Sequence, residues 1–139
     1  MTVTLNHTII VARDKDKTAT FLTSILGLSG HRRVAHFARV QVGATSLDIV
    51  SSGAEITPRH FAFLVDELEF DAILARIENA KLPFWADPLR REPGVINNWD
   101  DGRGVYFDDP NGHLLEVLTQ PYGSGGKDAS HPNPLFSRP

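Results

Sequence analysis

Residues 60–65, His-Phe-Ala-Phe-Leu-Val, form an apolar run bounded by Pro58 on one side and Asp66 on the other. A short run of β-forming residues between turn signals predicts a buried strand, here with a histidine at its start. The pattern occurs once more upstream, as His7-Thr8-Ile9-Ile10-Val11 within residues 4–12. Helical periodicity follows each copy. Asp14 is placed to cap a helix that carries Phe21, Leu22, Ile25 and Leu26, and Gly27 supplies its stop. Residues 66–80 carry Phe70, Ile73, Leu74 and Ile77 at i, i+3, i+4 and i+7, which predicts a second helix. Short strands then close each half. In the first, Val40 and Val42 alternate with Arg39 and Gln41, and a Gly43-Ala44-Thr45 turn leads into residues 47–50. The second has a break at Leu82-Pro83, a short strand near 84–86, and an irregular loop over 88–104. A strand at 105–107, the turn Asp109-Pro110-Asn111-Gly112 and a closing strand at 114–119 complete it.

The two halves start strand-helix in matching register, which internal duplication explains more simply than chance. Closely spaced short strands leave no room for crossover helices, so the expected class is α+β with mixed sheets rather than a parallel α/β sheet. We expect two tandem βαβββ modules within a single domain covering residues 1–139. Module one spans about 3–52 and module two about 58–120, and residues 121–139 form a tail with no secondary structure of its own.

Composition narrows the chemistry. A length of 139 residues allows one substantial core, and a charge of −3 with no basic run argues against a nucleic-acid partner. No cysteine is present, which excludes disulfides, thiolate metal sites and a cysteine nucleophile. The N-terminus lacks a leader pattern and no apolar run reaches membrane-spanning length, so a cytoplasmic protein without membrane contact is expected.

Each half also carries one acid in its last strand, Asp48 within Ser46-Leu47-Asp48-Ile49-Val50 and Glu116 within Leu114-Leu115-Glu116-Val117-Leu118. A lone histidine on such a strand is more often structural than a ligand. A buried unpaired carboxylate is harder to dismiss, since it costs several kcal/mol or shifts its pKa. His7, His60, Asp48 and Glu116 at equivalent places in two halves therefore suggest a site for a divalent ion. Two histidines with one carboxylate suit Fe, Mn, Zn, Ni or Co alike. His7, His60 and Glu116 are the minimum set. Asp48, one methylene shorter than glutamate, is expected either as a fourth ligand or as a base.

The starts Leu5-Asn6-His7 and Arg59-His60-Phe61, with the ending Gly-Val-Tyr-Phe-Asp-Asp-Pro-Asn-Gly-His-Leu-Leu-Glu over 104–116, resemble the vicinal oxygen chelate superfamily. That group includes glyoxalase I, bleomycin-resistance proteins, fosfomycin-resistance enzymes and extradiol dioxygenases, and the resemblance covers residues 4–119. It implies a cupped half-barrel with a metal-binding cavity, His7, His60 and Glu116 as ligands, and Asp48 at the acidic fourth ligand of glyoxalase I. The implied function is a glyoxalase-like enzyme that chelates a small substrate through two neighbouring oxygens and works by lyase or isomerase chemistry. Extradiol ring cleavage and antibiotic binding or resistance are the alternatives. Tyr106, ten residues before Glu116, matches the tyrosine of the extradiol signature, whereas Asn98 stands where that signature has a histidine. Ile9 stands where the fosfomycin enzymes carry a threonine, and no glutathione-binding signature is found. The candidate catalytic groups are thus Glu116, Asp48, Tyr106 and Asn98, with no organic cofactor. Superfamily modules pair within a chain or between two, and open sheet edges seek partners, so a homodimer is expected.

Several other residues lie near these motifs. Arg90, Arg91 and Arg103 with Trp85 and Trp99 form either a solvated loop or a substrate wall. His36 and Arg39 are candidates to face the same cavity, and Tyr122 is placed to close over the site or simply to pack. His31, His113 and His131 read as surface or turn residues.

Overall fold

The structure, a computed structural model, describes residues 2–136. Two compact units make it up. One runs through Pro58 and includes the turn Asp109–Gly112; the other takes Arg59–Asp108 and the chain from His113 onward.

In the first unit the order is β1 (His7–Ala12), α1 (Lys15–Leu26), β2 (Arg32–Val34), β3 (Phe37–Val42) and β4 (Thr45–Ser51). The strands lie in the order β1-β4-β3-β2, with β1 parallel to β4 and the remaining pairs antiparallel. Asp14 caps α1 by accepting from Asp16 and Lys17 N–H groups, and Gly27 ends it in the left-handed region at φ 69°. Ala19, Leu22, Ile25 and Leu26 are buried on the helix, as are Ile10, Ala12, Ala38, Val40, Leu47 and Ile49 on the sheet. The Asp-Pro-Asn-Gly turn is anchored in this unit. Asn111 accepts from the Arg13 N–H and donates to Thr18 Oγ1, at 2.9 and 2.8 Å.

The second unit repeats the plan. It contains β5 (His60–Leu64), α2 (Glu67–Asn79), β6 (Phe84–Trp85), β7 (Gly104–Asp108) and β8 (Leu114–Leu118). Its sheet order is β5-β8-β7-β6, again with one parallel pair, β5 with β8. Asp66 caps α2 through the Glu69 N–H, and the chain leaves the helix through Lys81 at φ 56°, two residues before Pro83. Phe70, Ile73, Ile77, Val105, Phe107, Leu115 and Val117 fill the core. The expected α+β class with two βαβββ modules and mixed sheets is what the chain adopts.

Three expectations need correction. Residues 60–65 are not a buried strand: His60, Ala62 and Leu64 are exposed, because alternate residues share a face and that face of β5 is uncovered. The loop 88–104 contains a 3-10 turn, Trp99–Asp101, and the tail contains another, Pro134–Phe136. His113 is not a surface residue but is 1% exposed, and its Nδ1 accepts from the Arg59 N–H. Among the described residues, no helix is long and apolar enough to cross a membrane.

Candidate functional site

Strand register decides which side chains share a face. In the first sheet His7 lies opposite Ser46, Ile9 opposite Asp48, Arg39 opposite Asp48 and Arg32 opposite Arg39. These side chains project from the face that α1 does not cover. Asp48 is buried, yet it is not the unpaired carboxylate that the sequence suggested. Arg39 donates from Nε and Nη2 to its two oxygens at 2.7 and 2.8 Å. That fork holds the Asp48 pKa below the usual carboxylate range, against a smaller upward push from burial. His7 rests its Nδ1 on Asn6 Oδ1 at 2.8 Å.

The second sheet has the same register. His60 lies opposite Leu114, Ala62 opposite Glu116, Tyr106 opposite Glu116 and Trp85 opposite Tyr106. Where the first half puts an arginine across from its acid, this half puts a tyrosine. Glu116 is 1% exposed, and among the described residues no arginine or lysine is paired with it. Its oxygens each accept from the Tyr122 hydroxyl at 2.7 Å. A carboxylate only accepts, so Tyr122 is the donor, and its own oxygen accepts from Tyr106. Burial raises the pKa of the Tyr106 phenol well above its ordinary value, and the bond to Tyr122 adds to the rise. Burial is also the largest cause for Tyr122. The bond from Tyr106 pulls the other way, Glu116 adds to the rise, and the net shift is again upward. Both phenols are therefore protonated donors at neutral pH. Trp99 packs against both rings at centroid distances of 6.0 and 6.5 Å.

The chemistry of His60 tests whether a metal fits. Its Nδ1 lies 2.9 Å from the Leu114 carbonyl, which can only accept, so Nδ1 carries the proton. In the neutral ring Nε2 is then a lone pair, and it faces Glu116 Oε1 at 3.1 Å. Two acceptors so placed need a proton, on the ring or on the carboxyl, or a cation between them. Bonds of about 2.1 Å at right angles set adjacent ligand atoms about 3 Å apart, so the spacing suits a divalent ion. An imidazole anchored through Nδ1, with Nε2 outward, is also how metal-binding histidines are held. His7 shows the same anchoring on Asn6.

The described residues thus bring His60, Glu116 and Tyr106 together and set Asp48 on Arg39, while no group of three His, Asp or Glu side chains is gathered for a metal. Asn98 donates its amide to the Gly102 carbonyl of its own loop. Arg90 is tied to Asp108 and lies over Trp85, and Arg103 is tied to Glu67 and Asp71 over Phe70. Neither is free as a substrate wall. Tyr122 belongs to the site although sequence reasoning left its role undecided between closing over the site and packing. Asp100, which holds the segment after Tyr122, was missed. The glycines at 123, 125 and 126, directly after a tyrosine, were the available signal of a chain folding back.

Paired βαβββ modules with an acid on the last strand of each define the class of protein. The model of the Glyoxalase/Bleomycin resistance protein/Dioxygenase superfamily matches residues 4–117, and the chain belongs to that superfamily. The structure of "Oxidase ChaP-H2" is 55% identical, covers 91% of this chain and 100% of its own, and superposes with a TM-score of 0.88. Glutathione transferase FosA of Serratia marcescens is 30% identical over 124 residues, 84% of this chain and 81% of its own. Metallothiol transferase FosB of Shouchella clausii (strain KSM-K16) is 29% identical over 124 residues, covering 83% and 79%.

Proposed function

We propose that the chain is a metal-dependent oxidase of a small organic substrate bearing two neighbouring oxygens, with His7, His60 and Glu116 as the metal ligands. The facing of His60 Nε2 and Glu116 Oε1 at 3.1 Å, both atoms of metal-ligating type, carries the metal part of this reading. The oxidase part is supported by likeness. The relative at 55% identity is named an oxidase, whereas those named transferases stand at 30% and 29%. Oxidation thereby moves ahead of the lyase or isomerase chemistry that the sequence alone favoured.

A divalent ion, iron or manganese for this chemistry, supplies Lewis acidity and one-electron exchange when bound. The chain's own residues do the rest. Asn6 and the Leu114 carbonyl fix the two imidazoles with Nε2 outward. Tyr106 and Tyr122 hold Glu116 in place, and Trp99 packs against both phenol rings. Asp48 is a fixed anion in this assignment. A ligand or base role for it requires Arg39 to release an oxygen first. Asn98 serves its loop and leaves the catalytic set.

Lyase or isomerase chemistry is the second reading, because proton handling on dioxygen is served by imidazole and Asn98 offers an amide turned elsewhere. Oxygen-electrode and absorbance measurements on Fe(II)- or Mn(II)-loaded protein, with catechols and other vicinal-oxygen compounds, separate the readings. Oxygen uptake that His60→Ala abolishes is the expected result. Equal turnover without oxygen would favour the second reading, and release of every compound unchanged would overturn both. Metal analysis checks the ligands: His7→Ala, His60→Ala and Glu116→Ala each lose most bound ion, since removing one ligand leaves an incomplete set.

A further inference from the structure

We propose that Tyr122 is a positioning residue for Glu116 and that the segment following it is a strap whose attachment to the 3-10 turn Trp99–Asp101 holds Tyr122 in place; this rests on Glu116 being a metal ligand.

A tyrosine that merely filled space would need nothing at its hydroxyl. Here the hydroxyl sits between both Glu116 oxygens at 2.7 Å and is itself fed by Tyr106. One proton shared by two carboxylate oxygens fixes the rotation of the carboxylate plane, which strand geometry alone does not. The oxygens then present the same direction to any ion.

Nothing in β8 delivers Tyr122, since the strand ends at Leu118. Delivery comes from beyond it. Asp100 takes the Gly123 N–H on one oxygen and the Gly125 N–H on the other, at 3.0 and 3.1 Å. Asp101 takes the N–H groups of Ser130 and His131, and the His131 carbonyl accepts from the Asp100 N–H at 2.7 Å. Both acids adopt the left-handed conformation, at φ 58° and 59°, so the turn is set in a disfavoured shape that aims two carboxylates at one segment. Gly125 approaches so closely that a Cβ there would lie 2.9 Å from Asp100 Cα. Loosening Asp100 therefore acts on Glu116 through Tyr122, although Asp100 touches neither Glu116 nor an ion.

The test is Co(II) titration of the full-length protein, followed by the visible absorption of the bound ion. Hydrogen-bond partners of metal ligands typically carry 10- to 100-fold in affinity, so Tyr122→Phe is expected to weaken Co(II) binding by about that factor and to alter the spectrum. Because this hydroxyl is also the donor to a buried carboxylate, its metal-free unfolding midpoint should fall, and the titration is run on protein that circular dichroism shows to be folded. Asp100→Asn is expected to shift binding and spectrum in the same direction. The double variant should bind no more weakly than the weaker single variant, because the two act through one contact. Unchanged affinity and spectrum in Tyr122→Phe, or losses that add in the double variant, would overturn the strap. Tyr122→Phe removes one oxygen atom and carries the test by itself if Asp100→Asn does not fold. Should His60→Ala bind Co(II) as the parent does, the metal reading falls and the strap proposal with it; if only Tyr122→Phe is silent, the strap alone falls.

Discussion

Asp48 and Glu116 are acids at matching positions, both buried, and each is held by a different device. Arg39 answers Asp48 with a full opposite charge, while Glu116 receives only the dipoles of two phenols. Removing the arginine should therefore be the costlier change for folding. With Asp48 left buried and unpaired, Arg39→Ala is expected to lower the urea midpoint clearly. Urea denaturation measures it. Adding Asp48→Asn should restore part of the loss, and failure to do so would mean that the pair is not what holds Asp48. The acids themselves were legible in the sequence as polar residues on apolar strands. Their partners were not, because Arg39 and Tyr122 lie nine and six residues away from them and only pairing register or a returning tail brings them close.

Elements announced by their ends were the easiest to read. Asp14, Gly27, Asp66 and the Asp-Pro-Asn-Gly turn each act through local hydrogen bonds or a required φ, so neighbouring residues suffice to find them. Burial was harder. Residues 60–65 look buried by composition, yet one face of β5 is exposed, and which face is covered depends on packing the sequence does not display. The loop 88–104 was hardest, since its order comes from scattered acids. Asp87 is one such acid, accepting from the N–H groups of Leu89, Arg91 and Glu92. Burial pushes its pKa up, but these donors together outweigh burial and the net shift is downward. A group with a depressed folded pKa stabilises above its ordinary range and loses that contribution as pH falls. The Arg91 and Glu92 amides should thus lose hydrogen-exchange protection on acidification below about pH 4, the ordinary aspartate value. In Asp87→Asn the pH dependence should disappear, and its persistence there would assign it to another group.

For the whole molecule, the edges point to assembly. β1 and β5 each lie at the edge of a sheet, and Leu5, Ile9, Val11 and Leu64 are exposed on or beside them. A two-fold homodimer is expected, and light scattering that finds a monomer at micromolar concentration would refute it. If the halves are exchanged between chains, mixing His7→Ala with His60→Ala protein restores Co(II) binding in the heterodimer; if each site is built from one chain, mixing restores none. The matched registers of the two sheets have an evolutionary consequence. Identical halves could not give one position two duties. With both halves in one chain, arginine stands opposite one acid and tyrosine opposite the other, so the two positions are free to be substituted independently.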